Sequence, residues 1–183
     1  MKTCTYKIIA AFMALFVLYV AYRVYNNIQF QAAFFSDFYD TIADVPFEVT
    51  EKGASVTIPL DKYKYKTCYD VAIAIPDWYL FANMKPNEKG QVKYAFKSNG
   101  RVLKEGLSLP LSRKNFGGRE GHDLVELLVF DLPFPDAKED LTLTLEVTTP
   151  FEFLKAYSKQ IRCWINPDYS AKFNKCYNED LHI

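Results

Sequence analysis

The sequence has only two histidines in 183 residues. That leaves little room for the imidazole sets that hold zinc or build a Ser-His-Asp triad. It has four cysteines but no Cys-x-x-Cys pair, the usual mark of a thiol redox catalyst. No Gly-x-Ser-x-Gly elbow is present. The one glycine-dense stretch, Asn115–Gly121, lacks the Gly-Lys-Ser/Thr step of a phosphate loop: Arg119 and Glu120 follow its Gly117-Gly118, and a strand-like run comes next. There is no charge surplus either. Twenty-two Lys and Arg balance 22 Asp and Glu, whereas binding nucleic acid through its backbone needs a basic excess. No repeat recurs at a solenoid period. The acidic pairs Glu139-Asp140 and Glu179-Asp180 sit in turn-like or terminal polar stretches. The expectation is a protein that is not an enzyme, with no metal, no cofactor and no nucleic-acid partner.

The zero net charge is a sum over unlike parts. Residues 1–25 carry Lys2, Lys7 and Arg23 and no acid, and the remaining chain carries 19 bases against 22 acids, a balance of −3. Between Lys7 and Arg23 lies Ile8 to Tyr22, 15 residues without a charge. As a helix this run is about 22 Å long, short of a ~30 Å hydrocarbon core. The flanking bases lengthen the usable span by snorkelling. Tyr6, Tyr19, Tyr22 and Tyr25 stand near its two ends, where aromatic belts form.

A cleaved signal peptide is the rival reading. The residues after the run, Tyr22 to Asn27, are poor cleavage determinants, and Cys4 precedes the run, so it is not a lipoprotein cysteine. An uncleaved signal anchor is favoured. Bases ahead of the run place the N-terminus in the cytoplasm and residues 26–183 outside. In a bacterium this is a single-pass inner-membrane protein with a periplasmic domain, contacting the membrane through residues 8–24.

Residues 26–45 contain no Gly or Pro, and Ile28, Ala32, Phe35 and Tyr39 recur at helical spacing. A parallel track holds Phe30, Phe34 and Phe38. A juxtamembrane helix is expected over 26–45, either a continuation of the membrane run or a second short helix in the interface, packed on the domain's own flank in preference to a partner or the membrane surface, and ended by Val45-Pro46.

From residue 46 the period becomes two. Strands are expected at Ala54–Leu60, Tyr69–Ile75, Gln91–Lys97, Leu107–Leu111, Asp123–Leu132, Leu141–Thr148 and Ile161–Ile165. Asn99-Gly100 supplies both positive φ angles of a type I′ hairpin turn. Phe151–Ser158 reads as one helical turn or a bent connection. Seven to nine short strands without a strong helix between them point to an all-β fold, an immunoglobulin-like antiparallel sandwich over residues 46–183. Lys62 to Lys66 alternates base and aromatic and reads as a solvated edge strand.

Strand parity turns Cys163 inward with Ile161 and Ile165, and turns Cys68 outward with Asp70. Those two do not meet easily across a sandwich. A Cys163–Cys176 disulfide is favoured, closing a short loop and stapling the polar tail.

For partner binding the candidates are aromatic. Trp78, Tyr79, Phe81 and Met84 fall in a loop from Pro76 to Gly90, where long connections often carry function and aromatic anchors dominate binding energy. Phe116, Arg119 and His122 belong to the second candidate loop. Both loops have structural alternatives, a cap on the sandwich end and a plain inter-strand turn.

The run Pro46-Phe47-Glu48-Val49 through Glu51-Lys52-Gly53-Ala54-Ser55-Val56, followed by a strand near Tyr69–Ile75, resembles the opening of an uncharacterised family of bacterial cell-envelope β-sandwich domains. Members of that family often follow a lipoprotein signal or an anchor, and some look like immunity proteins from toxin clusters. This chain departs from them in having no lipobox. The resemblance implies a periplasmic immunity protein that neutralises a toxin or secreted effector by steric occlusion, and it carries no catalytic residue. A structural or assembly subunit of an envelope complex is the alternative.

Overall fold

The computed structural model describes residues 2–77, 88–111, 116–173 and 181–183, with side chains described from residue 12 onward. Helix α1 spans Lys2–Tyr25 and α2 spans Ile28–Phe34. Nine strands follow among the described residues: β1 Ala43–Pro46, β2 Ser55–Pro59, β3 Thr67–Ile75, β4 Gln91–Ser98, β5 Arg101–Leu107, β6 Phe116–Arg119, β7 His122–Leu132, β8 Thr142–Thr149 and β9 Arg162–Pro167. They form two antiparallel sheets, one ordered β1-β9-β3-β7-β6 and the other β2-β8-β4-β5.

This order corrects the immunoglobulin-like expectation while keeping the sandwich. In an immunoglobulin fold the first and last strands lie in different sheets. Here β1 pairs with β9, β2 with β8, β3 with β7 and β4 with β5. The pairs are nested, and successive pairs alternate between sheets. A single long hairpin rolled over itself gives this pattern, which is jelly-roll order. At its tip, Asn99 and Gly100 take φ of 49° and 75°, as the hairpin turn requires.

The core lies between the sheets. Phe96 of β4 stacks on Phe134 with centroids 4.4 Å apart, and Phe130 of β7 packs 5.0 Å away. Tyr69, Val71, Ile73 and Ile75 of β3 face Leu143, Leu145 and Val147 of β8 within the same buried cluster. The unbroken apolar run of β7 has a specific cause. Val71 pairs with Leu128 and Ala72 with Glu126, so Leu127 is an extra residue in a bulge. Leu127 and Leu128 both enter the core, and parity reverses between them. Residues 181–183 pair in parallel with β7 at Val129, whose amide donates to the Leu181 carbonyl, and the Leu181 side chain covers Val129 and Cys68 on the outer face.

The region ahead of the sandwich differs from the expected 26–45 helix. α2 ends at Phe34, a turn follows, and residues 43–46 join the sheet as β1. Edge pairing to β9 satisfies backbone groups that a continued helix would have kept. Only Ile28 and Ala32 of the expected face are helical, and Phe35 and Tyr39 follow in the turn, yet all four pack inward. Ile28, Ala32, Phe35 and Tyr39 pack on the buried trio Phe38, Tyr65 and Ala171, the domain's own flank. Phe34 of the second track is 72% exposed. Residues 61–66 are not an edge strand but a connection from β2 to β3. Lys64 and the Tyr65 hydroxyl both bond the Asp37 carboxylate, which ties that connection to the segment after α2.

Among the described residues, no helix is long and apolar enough to cross a membrane. The expected span therefore gains no support from that criterion.

The disulfide expectation also needs correction. Cys68 is disulfide-bonded and Cys163 is a free, buried thiol. Parity was right for both residues but favours a different bridge. Cys163 points into the dry core, where no second thiol lies among the described residues, while Cys68 sits on the outer face beside Val129 and Leu181. Cys176 lies outside the described residues.

Candidate functional site

The outer face of the larger sheet holds polar residues that an antiparallel strand would normally give to water. Asp70 of β3 is 8% exposed and Asn166 of β9 is 1% exposed. They are register partners across the β3–β9 ladder. The Asn166 side-chain amide donates to Asp70 Oδ1 at 3.1 Å, and its Oδ1 accepts from the Thr41 hydroxyl at 2.7 Å. These two bonds fix the orientation of the Asn166 amide. No described residue donates to Asp70 Oδ2.

A groove of about 590 Å³ opens above this pair. Asp70, Asn166, Glu126 and Leu124 line it, with Gly117, Gly118 and Arg119 of β6 on one side and Tyr39, Pro167 and Tyr169 also contributing. The two tyrosine rings lie 5.8 Å apart. Arg119 donates to the Tyr39 carbonyl and pairs with Glu120 at 3.1 Å, so the β6 end is joined to the segment after α2. The Tyr39 hydroxyl is buried with no hydrogen-bond partner among the described residues.

The electrostatics follow from burial. Desolvation pushes the Asp70 carboxyl up to about 8. The charges on Glu126 and Asp168 add to the rise, and the Asn166 hydrogen bond and Arg119 oppose it. Burial likewise raises the Tyr39 phenol, with contributions from Tyr169 and Asp168. The Asp70 carboxyl is thus held well above the ordinary carboxylate range. Among the described residues there is no His, Cys, Asp and Glu grouping fit to hold a metal ion.

No family model and no curated protein matches this chain. Among solved structures, the crystal structure of GEBA250068378 from Sulfurospirillum deleyianum is similar at a TM-score of 0.48 and 9% identity, with the alignment covering 68% of this chain and 96% of that one.

Of the residues singled out from sequence, Phe116, Arg119 and His122 fall together on the β6–β7 hairpin. Arg119 alone of the three lines the groove. Phe116 is 38% exposed at the edge strand. His122 rests on Trp164, with ring centroids 4.8 Å apart, and Trp164 in turn donates to Asp44 at 2.8 Å. Trp78, Tyr79, Phe81 and Met84 lie outside the described residues. Sequence reasoning missed Asp70, Asn166, Tyr39 and Tyr169. A signal was available for the first: Asp70 interrupts a strand that is otherwise almost entirely apolar or aromatic from Cys68 to Ile75.

Proposed function

We propose that the chain is a membrane-tethered binding protein, with α1 as the anchor and the jelly-roll domain held in the periplasm to engage a protein partner. The exposure of α1 carries this reading. Phe12, Met13, Leu15, Phe16, Val17 and Leu18 are each exposed, around the helix and not along one stripe. A helix apolar all round belongs in a large core or a bilayer. The uncharged part of α1, Ile8 to Tyr22, is about 22 Å long, and Lys7 and Arg23 at its ends extend the usable span by snorkelling. Its charge pattern supports a cytoplasmic N-terminus.

Immunity is the form of binding that suits one sandwich on one anchor. A small rigid domain neutralises a delivered toxin by covering its active site. The test has two parts. Alkaline extraction of membranes should leave the chain in the pellet, and a C-terminal alkaline phosphatase fusion should be active. Co-expression with a toxin-like product of the neighbouring gene, directed to the periplasm, should restore growth and yield a co-purifying pair. A carbonate-soluble chain overturns the tether, and failure of both rescue and co-purification overturns immunity.

One observation favours the second reading, an assembly subunit. α1 and α2 flank a wholly apolar notch of about 490 Å³ lined by Phe16, Val17, Val20, Val24, Tyr25 and Phe30. Such a notch accommodates a neighbouring helix. A stable large complex in detergent, without any toxin, supports that reading over immunity.

A further inference from the structure

The groove over Asp70 combines three features that select one kind of visitor. Its floor presents the Asp70 carboxyl, since no described residue donates to Oδ2 and the Asn166 amide is already committed to Oδ1. Glu126 and Asp168 add negative charge from β7 and from the residue after β9. The one described base facing Asp70, Arg119 of β6, is held by the Tyr39 carbonyl and by Glu120. The aromatic side shows its preference within the molecule: Lys172 places its ammonium 3.4 Å from the centre of the Tyr169 ring.

We propose that this groove is a binding site for a cationic side chain of a partner protein, a lysine ammonium or an arginine guanidinium that passes beside Tyr39 and Tyr169 and bonds Asp70 Oδ2. The identification of the partner as a protein rests on the binding-protein reading above, and the choice of a cation rests on the groove alone. Entry of the cation replaces the proton on Asp70. The proton leaves to solvent, and the carboxylate is paired by the visitor and by the Asn166 amide. Binding therefore tightens as pH rises through the neutral range, because less of Asp70 must first give up its proton. The groups that set this dependence are Glu126 on β7, Asn166 on β9 and Asp168 just after it, all beside β3, and Arg119 on β6, one strand further out.

The test uses the full chain in detergent micelles and NMR of the Asn166 side-chain amide. Nα-acetyl-lysine amide and Nα-acetyl-arginine amide are the probes, with Nα-acetyl-norleucine amide as the uncharged control. A saturable shift of the Asn166 amide is expected with one or both cations and not with norleucine. The apparent affinity should rise severalfold from pH 6.5 to 8.5. Asp70→Asn should abolish the response, and Tyr169→Leu should weaken it while leaving the Asn166 resonance in place. Equal responses to norleucine, no response to either cation, or affinity that falls with pH would each overturn the proposal. The membrane and rescue experiments do not depend on this result, so failure of the groove and failure of the tether are read separately.

Discussion

The Asn166 side-chain amide donates to the Asp70 carboxylate at 3.1 Å from the directly opposed position on the next strand. One hydrogen bond does not repay the removal of a carboxylate from water, so burial holds the folded Asp70 carboxyl well above the ordinary range. The consequence for stability has a definite sign. The unfolded carboxyl titrates near 3.8 and the folded one near 8. Between these values the folded state binds the extra proton, so stability falls as pH rises from about 4 to about 8, by at most about 1.4 kcal/mol per unit. Below the window both states are protonated, and above it neither is. Urea midpoints of the wild type should decline across that range, and Asp70→Asn should flatten the decline. A wild-type profile no steeper than that of Asp70→Asn would show that Asp70 is not the group responsible.

Much of the sandwich is readable from period-two runs because one buried face imposes them. The β3, β4, β7, β8 and β9 runs emerge with ends within about two residues of expectation. The exceptions have physical reasons. β5 is an edge strand exposed along most of its length, so Arg101–Leu107 carries little alternation. β1 lies at the end of a helical pattern whose face does pack, and only the tertiary partner β9 makes those four residues extended. The groove was illegible for another reason. Asn166 lies opposite Asp70 on β9, and Glu126 lies opposite Ala72, two residues along β3 on the same face, a coincidence of register that no local pattern records.

Cys163 supplies a chemical test of the corrected cysteine assignment. It is fully buried, and desolvation together with the nearby charges of Asp44 and Asp70 raises its thiol well above the ordinary value. Both effects suppress the reactive thiolate. Maleimide should leave Cys163 unlabelled in the native chain and label it once denaturant unfolds the sandwich. Cys163→Ser places a hydroxyl in the same apolar pocket and should cost about 1–3 kcal/mol. Peptide mapping that finds Cys163 in a disulfide would restore the pairing favoured by sequence.

Phe38 fastens the segment after α2 to the domain. It is fully buried, with its ring 4.7 Å from Tyr65 and 4.8 Å from Tyr39. Phe38→Ala should cost about 3–5 kcal/mol if the flank unfolds with the sandwich. The same variant should speed limited proteolysis within residues 28–42. Phe34 is four residues earlier on the same track but exposed, so Phe34→Ala should change the stability of the domain by no more than about 0.5 kcal/mol. Similar protease sensitivity in the two variants would count against Phe38 as the fastening point.

Gly90 is required by close approach and not by backbone conformation. A Cβ there would lie 2.3 Å from Cδ1 of the Phe151 ring, which is itself fully buried beneath the start of a 3-10 turn at Glu152–Tyr157. The ring has no solvent side into which it can swing, so the strain must pass into the backbone or the core. Gly90→Ala should destabilise the domain by about 1–3 kcal/mol, the usual range for overpacking. Gly117 is the control, because a Cβ added to it meets nothing within 4 Å. Gly117→Ala should stay within about 0.5 kcal/mol of wild type. Thermal or urea unfolding of the two variants side by side decides the matter. If Gly90→Ala is as benign as Gly117→Ala, then Phe151 is not held as tightly over β4 as the packing indicates.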